Sequence, residues 1–108
     1  MRKWLPFLRN GHRVRVRFLR KALSDLDAEA SYLATRYNQG LAENFVESVR
    51  EGTELLCQHP ALGRPGRVSG TRELVMTEMP YILPYRVRED WVEILRVFHT
   101  RQKLPRKW

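Results

Sequence analysis

The first clear pattern along the chain is alternation. From Arg13 to Phe18, Val14, Val16 and Phe18 fall on one side and Arg13, Arg15 and Arg17 on the other. That period of two predicts a strand with one face on a core and one in water. The period then lengthens. Leu23, Leu26, Ala30, Leu33 and Tyr37 recur every three or four residues and predict an amphipathic helix. Asp25, Asp27 and Glu29 are read as lying near its start, where the helix dipole favours negative charge. Asn38-Gln39-Gly40 predicts a break, with the glycine free to adopt the left-handed backbone that ends helices. Leu41, Phe45, Val49, Gly52 and Leu56 form a second helical stripe, with Glu43, Glu47, Glu51 and Glu54 mostly on other faces. Two such helices joined by so short a link form an antiparallel hairpin, whose apolar side is expected to lie on a sheet.

Residues 59–67, with two prolines and two glycines, read as a loop. Three strand-like runs follow: Arg72 to Thr77, Tyr81 to Arg88 and Trp91 to His99. Glu89-Asp90 is a two-residue link, so the last two runs are expected to form a hairpin. Tyr81, Leu83, Tyr85 and Val87 share a face. Pro84 inside that run cannot donate to a ladder and points to an edge position or a bulge. The last run reads as central, with Val92, Ile94 and Phe98 on one face and Leu95, Val97 and His99 on the other. The predicted order is β-α-α-β-β-β. The fold class is α+β, a helical hairpin packed on a mainly antiparallel twisted sheet.

A chain of 108 residues suits one domain with one core. No run approaches the length of uncharged apolar residues that spans a bilayer. The basic start is interrupted by Pro6, Arg9, Asn10 and His12 before any apolar region forms, so a cytoplasmic protein without membrane association is expected. Cys57, the only cysteine, excludes an intramolecular disulfide and a cysteine-rich metal site, and reads as a small buried thiol. The net charge of +8 is unevenly spread. Acids gather in the helical middle and bases in the flanking strands, so folding is expected to give an acidic layer and a basic layer that attracts polyanions or an acidic protein.

These pieces resemble a known family. Ala22-Leu23-Ser24-Asp25-Leu26, Tyr37, Ala42 and Phe45 resemble the helical half of RelE/ParE superfamily toxins. His59-Pro60-x-x-Gly63-Arg64-Pro65, Thr71-Arg72-Glu73-Leu74, the run from Tyr81 to Val87, Glu93-Ile94-Leu95-Arg96-Val97 and His99-Thr100-Arg101-Gln102 continue the match. It leaves 1–12 as a basic extension and 13–108 as the toxin domain. The resemblance implies the toxin half of a type II (plasmid-stabilisation type) toxin–antitoxin pair, neutralised by a cognate antitoxin protein. It implies one of two targets: DNA gyrase, inhibited by binding, or ribosome-bound messenger RNA, cut by an RNase of RelE type. A non-toxic, antitoxin-binding remnant is a further reading.

RNA cleavage through the 2′-hydroxyl needs proton transfer and a cradle for the phosphate. His99 is the candidate acid/base, with Arg72, Arg86 and Arg101 as the anion cradle. Each has a plainer reading: His99 as a half-buried structural histidine, Arg86 as solvated, Arg72 paired with an acid such as Glu93. His59 before Pro60 reads as turn chemistry. Arg64, Arg67, Arg72, Arg86 and Arg101 are the candidate cations for a target or nucleic acid. No metal-ligand or phosphate-loop motif occurs, so no cofactor is expected. RelE-type RNases carry a functional arginine near the end of the second strand. The matching stretch here, Met76-Thr77-Glu78-Met79, has no base. That departure favours gyrase over messenger RNA.

Overall fold

The computed structural model describes residues 14–108; the basic extension 1–12 and Arg13 lie outside them. The elements are β1 (Arg15–Phe18), α1 (Arg20–Arg36), α2 (Gln39–Gln58), β2 (Arg64–Pro65), β3 (Arg72–Val75), β4 (Tyr81–Arg88), β5 (Trp91–Ile94) and β6 (Phe98–His99). The sheet runs β1-β5-β4-β3-β2, with β6 beside the start of β4. Only β1 and β5 pair in parallel; every other pairing is antiparallel. The α+β helical hairpin on a mainly antiparallel sheet is therefore as expected.

One face of the sheet carries the core. Val16, Leu74, Tyr81, Leu83, Tyr85, Val92, Ile94 and Val97 meet Ala22, Leu26, Leu33, Ala42, Phe45, Val49 and Leu56 from the helices. Phe45 lies against Tyr81 with ring centroids 4.5 Å apart. Cys57 is buried at the end of α2.

The helix boundaries differ from the periodic reading. α1 begins at Arg20, so no acid lies in its first turn. Asp25 instead holds Arg96, at 2.7 and 3.1 Å, and accepts from the Val97 amide. The ends of the first stripe, Leu23 and Tyr37, are exposed; the buried line of α1 runs through Ala22, Leu26 and Leu33, so it starts at Ala22 rather than at Leu23. The break between helices is made by Asn38, whose side chain accepts from Leu41 N at 2.8 Å. This N-cap replaces the left-handed glycine that was expected: Gly40 is inside α2, and the only positive-φ glycine among the described residues is Gly70.

Pro84 takes the second of its two expected settings, a bulge. It is not at an edge: β4 is hydrogen-bonded on both sides. Tyr85 faces Ile94 and Ile82 faces Phe98, so two residues of β4 span three of its neighbour, Leu95, Arg96 and Val97. That is a bulge, and it sits where the proline needs it. Pro84 O accepts from Leu95 N at 2.8 Å, and in an antiparallel ladder the N of a residue faces the same neighbour as its O. The missing N–H therefore points at the irregular strand. The bulge divides the expected last strand into β5 and β6 and exchanges its faces. Val97 joins Val92 and Ile94 in the core, while Phe98 moves to the outer face.

Candidate functional site

The face of the sheet turned away from the helices is built from alternate residues of every strand. On β1, β5 and β4 it forms two rows fixed by register: Arg15–Trp91–Arg88 and Arg17–Glu93–Arg86. Glu93 is 3% exposed, and its two oxygens are divided between Arg17 (2.6 Å) and Arg86 (2.6 Å). Burial pushes its carboxyl up, but hydrogen bonds from Arg86 and Arg17 outweigh burial and hold it below the usual carboxylate range. Arg86 is thus an ion-pair partner rather than simply solvated. Arg17 and Arg15 stack on Trp91, at 4.3 and 5.3 Å from the ring centre.

The other half of this face is roofed. Glu73, 4% exposed, accepts from Arg64 and from the Arg67 amide at 2.9 Å. Residues 104–108 cross here: Arg67 donates to Leu104 O (3.0 Å), and Trp108 Nε1 donates to Thr71 Oγ1 (3.1 Å) while its ring lies 5.7 Å from that of Phe98. The loop 59–66 is fastened from beneath. Buried Tyr85 donates to Pro60 O (2.7 Å) and accepts from Gly63 N (2.8 Å), and burial pushes its phenol pKa up. Gly63 has no room for a side chain, since an added Cβ would lie 2.6 Å from the Tyr85 ring and 2.8 Å from Glu73 O.

The expected acid/base cluster is dispersed. Arg72 lies opposite Tyr85, on the helix side, and donates to Gly63 O at 2.7 Å. It does not pair with Glu93, which projects from the opposite face two strands away. His99 lies opposite Tyr81 on β6, so four residues of β4, about 13 Å of extended strand, separate the positions of Arg72 and His99. Arg86 is on the other face, and Arg101 is exposed, with its amide donating to His99 Nδ1 at 3.0 Å. His59 is the C-cap residue of α2, in keeping with turn chemistry. His99 instead keeps company with Tyr81, edge-on at 5.2 Å, and Tyr81 donates to Glu29. Burial, then the bond to Glu29, drives the Tyr81 phenol pKa well up, so it stays a donor at neutral pH.

A third feature is apolar. Leu55, Leu62 and Val75 are exposed large hydrophobics that converge on one groove of about 520 Å³ between α2 and β3. Gly52, Leu74 and Met76 form its floor and walls, and Glu51, Glu78 and Arg64 its rim. β2 covers β3 only at Arg72 and Glu73, so from Leu74 onward that edge has no strand partner among the described residues.

Residues 16–104 match the family model described as ParE toxin of type II toxin-antitoxin system, parDE. The chain belongs to the ParE toxin family. It is 41% identical over 93 residues to "Putative toxin Y4kP" of Sinorhizobium fredii (strain NBRC 101917 / NGR234), covering 86% of this chain and 95% of that protein. It also resembles a chain of the structure titled "Chromosomal ParDE TA system from P. aeruginosa". That match has a TM-score of 0.74 and 30% identity, over 82% of this chain and 98% of the other. The RelE/ParE resemblance thus resolves to its ParE branch. The ParE toxin is one half of a toxin–antitoxin pair. No helix among its described residues is long and apolar enough to cross a membrane.

Sequence reasoning had singled out Arg64, Arg67, Arg72, Arg86, His99 and Arg101. It treated Arg15 and Arg17 only as the wet side of a strand and passed over Trp91 and Arg88; it expected an apolar groove beside a basic sheet face as the antitoxin's seat, without naming the residues of the groove. One signal was available: Glu93 is a lone acid inside an otherwise apolar strand, and such a residue needs cations on the neighbouring strands.

Proposed function

We propose that this ParE toxin acts on DNA gyrase by binding it, without cutting RNA, and that its antitoxin neutralises it by seating an apolar segment in the α2–β3 groove. The observation that carries the target reading is the dispersal of His99, Arg72 and Arg86. A phosphoryl-transfer site needs its acid/base and its guanidinium groups within hydrogen-bond reach of one phosphate. Here each arginine is committed to a different partner on a different face. The groove reading is supported by the convergence of exposed Leu55, Leu62 and Val75 beside an uncovered strand edge, which suits an added strand or an amphipathic helix. An acidic residue flanking the seated segment would meet Arg64 on the rim, making the pairing partly salt-sensitive.

The test is to express the chain alone and together with its antitoxin in a cytoplasm. The expected result is growth arrest with DNA breaks, relieved by the antitoxin. Leu55→Glu places a charge on an exposed position of the groove and is expected to weaken antitoxin affinity by about thirtyfold, roughly 2 kcal/mol, while toxicity persists. Cleaved messages without DNA breaks would overturn the target reading. Undiminished neutralisation of the Leu55→Glu chain would overturn the groove.

A further inference from the structure

The array on β1, β5 and β4 is a second surface, separate from the groove, and its composition is selective. Four of its six residues are arginines, with one tryptophan and one glutamate between them. Glu93 can neutralise one charge, yet two guanidinium groups share it. Arg15 and Arg88 form no ion pair among the described residues, and residues 1–13, which lead into β1, contain four bases and no acid. Glu89 and Asp90 lie beyond the array, in the β4–β5 turn. Next to those two carboxylates, the array itself has a net charge of +3, from Glu93 and four positive charges. All are on guanidinium groups, whose planar forks match phosphate oxygens in pairs.

We propose that this array binds the phosphate backbone of a nucleic acid, with a base taking the place of the looser Arg15 guanidinium, 5.3 Å from the Trp91 ring centre, as that arginine turns to a phosphate. The choice of a polynucleotide over an acidic protein rests on what the array lacks and holds. It offers no apolar patch for a protein partner to bury, whereas arginines around a half-buried aromatic ring suit alternating phosphates and bases. Glu93 is a positioning residue that holds Arg17 and Arg86 by ion pairs, while Arg15 and Arg88, which form none among the described residues, can turn to phosphates. The proposal is independent of the gyrase reading, since it concerns free nucleic acid.

The experiment measures binding of the purified chain to a fluorescent oligothymidylate of about 12 nucleotides across a salt series. Arg15→Gln with Arg88→Gln removes two cations without unpairing Glu93. It is expected to weaken binding roughly tenfold and to lower the salt slope by about 1.4. Trp91→Leu is expected to weaken binding about fivefold at an unchanged slope, the loss of one stacked base. Arg20→Gln with Arg36→Gln, an equal charge loss on exposed α1 positions, is expected to change little. Thermal melting checks that each variant folds. Three outcomes would overturn the proposal: no salt-dependent binding, an equal loss from the α1 pair, or a polyglutamate peptide binding as tightly with no effect of Trp91→Leu.

Discussion

Glu93 and Glu73 are two buried carboxylates on the same sheet face, and they do different work. Glu93 ties three strands together through two guanidinium groups and leaves charge to spare beside it. Glu73 holds a loop, through Arg64 and the Arg67 amide, in a region roofed by residues 104–108. The difference lies in what surrounds each. A carboxylate flanked by arginines on both neighbouring strands becomes the base of a cationic surface. One flanked by a loop becomes a fastener, and its cations are absorbed locally.

The comparison can be broken most forcefully at Glu93. Glu93→Ala leaves Arg17 and Arg86 crowded without their anion and is expected to destabilise the fold by about 3 kcal/mol, read by chemical denaturation. Gly63→Ala should come next, at about 2 kcal/mol, because the new methyl overlaps the Tyr85 ring and a backbone carbonyl. Its loss should appear with increased proteolysis in the loop 59–66. Glu73→Gln is expected to cost about 1 kcal/mol, since the Arg64 side chain is already 56% exposed and can return to water. The smallest effect is in pH. The Glu93 carboxyl titrates lower in the folded chain than in the unfolded one. Its contribution to stability is therefore complete above the unfolded value, about 4.3, and is lost as pH falls through the folded value. Glu93→Gln should flatten the acid limb of a stability–pH curve in that window.

How much of this was legible beforehand follows from the physics of each region. Helix and strand periods located the hairpin, β1, β4 and the side of the sheet that faces the core, because burial of one face imposes a local period. The bulge was half legible: Pro84 signalled it, but no local pattern in Leu95-Arg96-Val97 shows that a third residue is accommodated by Asp25 from α1. Hence the faces of Phe98, Val97 and His99 were assigned with strict alternation and came out exchanged. The dispersal of Arg72, Arg86 and His99 was illegible for the same reason, since face and register decide which distant side chains meet. An apolar groove was expected, but its residues were illegible, because exposed leucines on α2 and in a loop share a surface only after folding.

The proposed action of this ParE toxin is binding of gyrase, with no ribonuclease centre at His99. A supercoiling assay with purified gyrase, run beside a translation reaction in which messages are followed, tests it most directly. The account predicts inhibited supercoiling with accumulation of cleaved DNA, equally for the wild-type chain and His99→Ala, and intact messages. Undisturbed supercoiling together with messages cut by the wild type and spared by His99→Ala would contradict it.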